Sequence, residues 1–170
     1  MEIRLARKTD LPRIMEIIYQ AQEYFRGAGI DQWQNHYPNE ETILADIERQ
    51  ESYVLEDEDQ VVGTFMCSFR DEPTYEKIYD GAWLTDGPSG VIHRVAMDNR
   101  VKGKGYGGAV VEFMVQRCLN HEPPVYSLRG DTHADNHSMQ RLFAKNGYRH
   151  CGRIYLADGA ERMAFEKVLG

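Results

Sequence analysis

The chain has 170 residues, 42% hydrophobic and 28% charged, with a formal net charge of −7. This composition is typical of one globular domain, residues 1–170. The acidic balance argues against nucleic-acid binding, and no stretch reaches the ~20 apolar residues of a membrane span. The N-terminus lacks a signal-peptide pattern, and the three cysteines form no C-x-x-C pair, so we expect reduced thiols, a cytoplasmic location and no membrane partner.

The first half of the chain alternates strand and helix signals. A strand at residues 2–6 precedes a helix that opens at Thr9-Asp10 and ends at Gly27 to Gly29. A second helix begins after Asn39, and strands follow at residues 52–55 and 61–69. The acidic turn between these strands, residues 56–59, has nothing to fix a coordination geometry, so we predict no metal site.

Residues 30–38 combine aromatic and amide side chains, which is unusual for a solvent loop. Trp33, Gln34 and Tyr37 are therefore candidates for a substrate pocket, because such pockets mix ring faces with hydrogen-bonding groups. Packing of the two aromatic rings into the core is an equally good explanation. Residues 71–90, broken by glycine and proline, are predicted to hold a short helical turn and a strand edge, and residues 75–84 are a second candidate pocket wall.

The most informative stretch is residues 91–108. Residues 91–97 have the apolar, β-branched character of a buried strand, Asp98-Asn99 is a turn, and a glycine-rich loop then leads into a helix. Such a loop presents backbone N–H groups and the positive end of a helix dipole to one point. Arg100, Lys102 and Lys104 add positive charge. The stretch therefore predicts a pyrophosphate-binding loop.

Two alternatives remain for this loop. It could be only a tight connection between a strand and a helix. It also satisfies G-x-G-x-x-G at Gly103, Gly105 and Gly108, with Asp131 at 23 residues beyond, as in dinucleotide-binding proteins. Against that second alternative, only 62 residues follow Gly108, too few for the βα units that such a fold requires.

The C-terminal part adds a strand at residues 125–129 and a polar cluster at residues 130–136. Asn136 is predicted to cap a helix that ends at Asn146-Gly147. Two final strands, residues 148–156 and 162–168, flank a hairpin turn at Asp158-Gly159. The order of elements predicts a mixed α/β fold with helices on both faces of a mixed sheet.

Three features of the chain resemble the GNAT superfamily of acyl-CoA-dependent N-acetyltransferases. Arg100-Val101-Lys102-Gly103-Lys104-Gly105 fits the family's [R/Q]-x-x-G-x-[G/A] loop after an apolar strand. Asn136 followed by Leu142 and residues 145–148 resembles its N-x(5)-L-[Y]-x-K-x-G-[F/Y] helix and exit. The order of elements also agrees over essentially the whole chain. The resemblance implies a mostly antiparallel sheet of six to seven strands flanked by about four helices.

The resemblance further implies that acetyl-CoA lies between the strands predicted at residues 91–97 and 125–129, without a metal. The pantetheine would pair with the first of these strands, and Asn136 would contact its end. The implied coenzyme-binding residues are Val95, Ala96, Met97, Arg100, Val101, Lys102, Gly103, Lys104, Gly105, Tyr106, Gly107 and Asn136. The acceptor would be a primary amine of a small molecule or peptide, and many relatives are homodimers.

The implied catalysis lacks one of the family's usual residues. Phe143 stands where the family often has a tyrosine that acts as general acid. His93, on the strand of Val95 and Met97, is the first candidate for the general base, and His133 is the second. Deprotonation through water is an alternative, and each histidine could be purely structural. Phe143 also leaves open a catalytically silent, regulatory acyl-CoA-binding domain.

Overall fold

The structure, a computed structural model, describes residues 1–170 and contains seven strands and four α-helices. The strands are β1 (Glu2–Leu5), β2 (Ser52–Asp57), β3 (Gln60–Ser68), β4 (Gly90–Met97), β5 (Ser127–Thr132), β6 (Arg149–Tyr155) and β7 (Glu161–Val168). The helices are α1 (Leu11–Gly27), α2 (Glu40–Glu48), α3 (Tyr106–Leu119) and α4 (His137–Lys145). None of these helices is both long enough and apolar enough to cross a lipid bilayer.

The seven strands form one sheet in the order β1-β2-β3-β4-β5-β7-β6. The β1–β2, β2–β3, β5–β7 and β6–β7 pairs are antiparallel, whereas β4 and β5 are parallel, with Gly90 opposite Leu128 and Val91 opposite Arg129. The predicted mixed α/β fold with a mostly antiparallel sheet is therefore confirmed. It lacks the row of parallel strands on which a dinucleotide-binding fold depends.

The chain divides into two compact units, each with its own apolar cluster. The first unit comprises Met1–Cys67 and His93–Tyr106, and the second comprises Ser68–Ile92 and Gly107–Gly170. In the first unit the buried cluster draws isoleucines from α1 and α2 together with Val54 of β2. In the second unit a smaller cluster joins Tyr75 to residues of β4, β6 and β7.

Local sequence signals predicted the positions of several helix ends and turns correctly. The Asn39 side chain accepts the Thr42 N–H at 3.0 Å and so caps α2. Gly147 has φ +84 after α4, as a left-handed helix cap requires. The segment 71–90 contains the expected short turn, Pro73–Tyr75, and a single bridge between Tyr79 and Arg153.

Two strand predictions were wrong in extent. The fifth strand was expected at residues 125–129 but begins at Ser127 and continues to Thr132, because its ladder with β7 runs from Ser127–Val168 to Thr132–Met163. Pairing with β7 therefore outweighs the low strand propensity of Gly130 and Asp131. Likewise β2 extends to Asp57, which leaves a tight two-residue turn at Glu58 and Asp59, with φ values of 50 and 62.

Candidate active site

The start of the glycine-rich loop, residues 98–105, is held by the buried carboxylate of Asp98. This side chain is 2% exposed and accepts Arg13 Nη2 at 2.6 Å and the Arg100 N–H at 2.8 Å. The Asp98 N–H donates to the Val62 carbonyl of β3 at 2.8 Å. The Arg100 side chain, followed by other donors, lowers the pKa of Asp98 far below its usual range against the opposing effect of burial.

Beyond this anchor, the loop presents N–H groups that the protein itself does not use. The amides of Arg100 and Val101 bond to Asp98, and that of Lys104 donates to the Val101 carbonyl at 3.3 Å. The amides of Lys102, Gly103 and Gly105 have no acceptor within the protein. They precede the first turn of α3, whose N–H groups also lack helical partners. This group of donors is an anion-binding arrangement.

The two loop glycines are required by backbone conformation rather than by packing. Gly103 and Gly105 have φ values of +84 and +80, in the left-handed region that favours glycine. A Cβ built on either residue meets no atom within 4 Å. The space beside both residues is therefore open.

The three cations near the loop differ in their partners. The Arg100 guanidinium turns back to Asp98, with Nε at 3.0 Å from Oδ1, and shares this carboxylate with Arg13. The Lys102 ammonium lies 4.6 Å from the centre of the Tyr24 ring. Lys104 forms no ion pair. Lys102 and Lys104 are therefore the cations available to a bound anion.

Strand β4 contains a conformational irregularity at Arg94, whose φ is 54. It separates His93 from Val95, Ala96 and Met97. A non-glycine residue in this region is unusual within a strand and interrupts regular pairing. The backbone conformation of β4 therefore changes at this residue.

The segment 30–38, predicted to line an acceptor pocket, divides its residues between packing and exposure. The Trp33 ring packs edge-on against Phe25, with ring centres 5.7 Å apart, and contacts the apolar cluster of the first unit. The Gln34 amide donates to the carbonyls of Gln22 and Gln32, so it braces the segment. The Tyr37 side chain remains 44% exposed, and its hydroxyl accepts a hydrogen bond from Arg94.

The second unit holds the remaining predicted residues. Asn136 is 6% exposed, and its Oδ1 accepts the Met139 N–H at 3.1 Å, so it caps α4 as expected. His133 Nδ1 accepts the Asp135 N–H at 3.0 Å. In the neutral ring the proton therefore lies on Nε2, which can donate a hydrogen bond but cannot accept a proton.

Phe143 is a core residue, 1% exposed, stacked on Phe165 with ring centres 4.7 Å apart. A Cβ built on Gly130 would lie only 2.9 Å from Cζ of this ring. Packing therefore explains this aromatic position in full. No group of three or more histidine, cysteine, aspartate or glutamate side chains is placed to hold a metal ion.

The sequence patterns did not predict the buried ion pairs of four charged residues, although Asp98 was expected in a turn: Asp46, Arg94, Asp98 and Glu166. Each is a charge within an apolar element or directly after one, and each is paired in the structure. Because an unpaired charge is rarely buried, a charge inside an apolar strand or on an apolar helix face is a usable signal of a buried pair.

The mostly antiparallel sheet contains the parallel pair β4–β5, and a glycine-rich loop leads from β4 to the N-terminus of α3. Together these features define an acetyltransferase fold. The acetyltransferase (GNAT) family matches residues 14–148, which is most of the chain. The protein therefore belongs to the GNAT family of acetyltransferases.

Solved and curated relatives agree with this family. A GNAT-family acetyltransferase from Streptococcus agalactiae is 30% identical and superposes with a TM-score of 0.90, over 99% of this chain and 95% of that one. The N-acetyltransferase YesJ of Bacillus subtilis is 24% identical over 164 residues, which are 94% of this chain and 86% of that protein. A ribosomal-protein-alanine N-acetyltransferase from Brucella melitensis, 21% identical over 99% of this chain and 100% of that one, shares the fold with a TM-score of 0.70.

Proposed function

We propose that the protein transfers an acetyl group from acetyl-CoA to a primary amine of a small molecule or peptide. The observation that supports this most strongly is the set of free amides at Lys102, Gly103 and Gly105 before α3. A diphosphate would be held there by backbone N–H groups and by the helix dipole, with Lys102 and Lys104 adding positive charge. Residues Val95 to Met97 would pair with the pantetheine amides as an added strand, and Asn136 would contact the cysteamine end.

In the proposed reaction, the residues of the chain must accept one proton from the amine and stabilise the negative charge that develops on the carbonyl oxygen. The amine nitrogen bonds to the thioester carbon, the C–S bond breaks, and the coenzyme leaves as a thiolate. A backbone N–H of β4 near Val95 or Met97 would stabilise the oxyanion that forms on the carbonyl. We assign the base to His93, because the Nδ1 bond of His133 leaves that ring a donor. The three cysteines are free and buried, consistent with a cytoplasmic protein.

Acetyl-CoA is expected to stabilise the protein against thermal unfolding. At ~100 times its dissociation constant, a ligand that binds only the folded state adds about 2.7 kcal/mol. We expect Gly103→Ala to weaken acetyl-CoA binding at least ~10-fold, because the new Cβ occupies the space beside the free amides. Differential scanning fluorimetry across an acetyl-CoA titration, with NAD in parallel, measures both effects.

Gly159→Ala is the matched control for this experiment. Gly159 has φ +88 and, like Gly103, no atom within 4 Å of an added Cβ, but it lies in the turn between β6 and β7. Both alanine variants carry a similar backbone strain of about 1 kcal/mol, so their stabilities without ligand should match. Equal acetyl-CoA affinities in the two variants, or stabilisation by NAD in place of acetyl-CoA, would overturn the proposal.

Replacing His93 with glutamine is expected to reduce kcat about 100-fold. His133→Gln should change kcat by no more than about twofold, since its ring nitrogen caps a turn. The measurement is steady-state acetylation across a panel of primary amines. Unchanged rates in both variants would indicate deprotonation through water, and acetyl-CoA binding without transfer to any amine would favour a silent acyl-CoA-binding domain.

A further inference from the structure

Arg94 is the only non-glycine residue within a strand that has a left-handed backbone conformation. The other positive-φ residues with a Cβ lie in turns and loops: Trp33, Asn35, His36, Gln50, Glu58, Asp59 and Asp80. Such a conformation is unfavourable for a residue with a Cβ and persists only where the surroundings hold it in place. The contacts of the Arg94 side chain explain how this backbone conformation is held.

The Arg94 guanidinium is clamped by a buried carboxylate from α2. Its Nε and Nη2 donate to the two oxygens of Asp46 at 2.8 and 2.7 Å, a bidentate pair. The Arg94 and Asp46 side chains are 13% and 3% exposed. Because one partner alone would be a buried unpaired charge, the geometry of this pair is strongly fixed.

The third contact of the guanidinium reaches the segment 30–38 at the exposed side chain of Tyr37. Arg94 Nη1 donates to the Tyr37 hydroxyl at 2.9 Å. The Gln22 side chain binds the carbonyls of Tyr37 and Pro38 at 3.1 and 3.0 Å, so the backbone beside the ring is held as well. One guanidinium thus joins β4, α2 and the 30–38 segment within the first unit.

The direction of this third bond determines what Tyr37 can offer to a ligand. The hydroxyl oxygen accepts from Arg94, and the hydroxyl proton has no acceptor in the protein. A phenol that accepts from a cationic donor is a stronger donor itself, because the two hydrogen bonds polarise one another. The exposed ring therefore presents an oriented O–H donor.

We propose that Arg94, held by Asp46, is a positioning residue that orients the Tyr37 hydroxyl toward an oxygen acceptor on the amine substrate. The inference rests on the proposed function, and it narrows the substrate class to amines that carry a carbonyl or similar oxygen, such as amino-acid amides and peptides. A simple alkylamine would leave the donor unpaired, which is the kind of mismatch that polar sites discriminate against.

The test compares amines that carry an amide group with alkylamines of the same chain length: β-alaninamide against butylamine, and glycinamide against propylamine. We expect the wild-type protein to prefer the amides in kcat/KM, and Tyr37→Phe to lose about 10-fold of that preference, the value of one hydrogen bond. Arg94→Lys should behave like Tyr37→Phe, since lysine can retain the charge near Asp46 but cannot bond to Asp46 and Tyr37 in the same fork geometry. The KM for acetyl-CoA should stay within about twofold in both variants.

Arg4→Lys is the matched control. Arg4 also donates to a carboxylate through two nitrogens, to Asp10 at 2.9 and 3.1 Å, in the same unit, but it has no contact with Tyr37. This variant should lose a comparable ion-pair geometry and keep the amide preference. An unchanged preference in Tyr37→Phe, or an equal loss in Arg4→Lys, would overturn the inference.

A second measurement separates this inference from the proposed function. Hydrogen exchange of a peptic fragment covering residues 30–38, in protein without ligand, should become about 10-fold faster in Arg94→Lys than in Arg4→Lys. If the wild-type protein acetylates no amine, the proposed function fails and the exchange data still decide whether Arg94 holds this segment. Identical exchange in the two lysine variants would remove the positioning role.

Discussion

Replacing Glu166 with alanine is expected to lower the free energy of unfolding by about 3–5 kcal/mol, the usual cost of removing one partner of a buried ion pair. Glu166 lies in β7 and is 0% exposed. Its Oε1 accepts the Leu84 N–H at 2.6 Å, and its Oε2 accepts the hydroxyls of Thr85 and Ser127, both at 2.5 Å. Arg129 Nε approaches the same oxygen within 3.3 Å. Alanine would leave all four donors without this acceptor.

Urea unfolding of the variants measures this loss, provided that the slope of the unfolding free energy against urea concentration is the same in each. The free energy of unfolding of Glu166→Gln should lie between those of the wild type and Glu166→Ala. The glutamine amide keeps the shape of the carboxylate, but its NH₂ group faces other hydrogen-bond donors. Glu161→Ala is the control on the same strand: Glu161 pairs with Arg153 at the surface, so its loss should cost under about 1 kcal/mol. A Glu166→Ala variant as stable as Glu161→Ala would contradict the prediction.

The same pair of variants probes the pH dependence of stability. Burial alone would raise the pKa of Glu166, but the bonds from Ser127, Thr85 and Leu84 outweigh it and the pKa lies below its usual range. A carboxyl with a lowered folded-state pKa contributes stability above its unfolded pKa, about 4.3, and loses that contribution as the pH falls toward the folded value. The stability gap between wild type and Glu166→Ala should therefore narrow below about pH 4.

Replacing Asp98 with alanine is expected to cost about 3 kcal/mol of stability and to weaken acetyl-CoA binding at least ~10-fold. The stability loss follows from the Arg13 and Gln20 side chains, which donate to the Asp98 carboxylate at 2.6 and 3.3 Å. The binding loss follows from the Arg100 N–H, whose bond to Asp98 sets the turn that begins the glycine-rich loop. Without this bond the free amides of the loop are no longer held in one orientation.

Chemical unfolding and an acetyl-CoA titration by fluorimetry separate these two effects. Asp10→Ala is the control, because Asp10 also pairs with an arginine, Arg4, and its pKa is also lowered, chiefly by that side chain. It bonds to Arg4 and Arg7 rather than to the glycine-rich loop. We expect a similar loss of stability in Asp10→Ala with unchanged acetyl-CoA affinity. Equal binding losses in the two variants would show that Asp98 acts through general stability alone.

The first residues of the candidate site were accessible from sequence because their signals are local. An apolar strand, a turn at Asp98 and glycines before a helix lie within 18 consecutive residues, 91–108. The cap at Asn136 and the left-handed Gly147 likewise depend on side chains and φ values within a few residues. Such features form in almost any tertiary context, so a sequence pattern predicts them.

Residue roles near the site were less predictable. Trp33 and Tyr37 belong to one short aromatic segment, yet Trp33 packs against Phe25 whereas Tyr37 stays exposed and meets Arg94. The amino-acid sequence of the segment does not indicate which of the two rings packs and which stays exposed. Which ring packs against the core depends on where α1 and β4 lie, and that is decided by packing between elements.

The helix boundaries, the turn at Asp158-Gly159 and the glycine-rich loop could be predicted from the sequence, because neighbouring residues set those conformations. The extent of β5, the burial of Asp46 and Glu166 and the partial burial of Arg94 depend instead on contacts between distant parts of the chain. The partners of these charges are distant along the chain, 48 residues apart for Arg94 and Asp46 and 82 for Glu166 and Leu84. A charge can be buried only where a partner offsets the free-energy cost of its desolvation. Residues so distant along the chain come into contact only when the chain is folded.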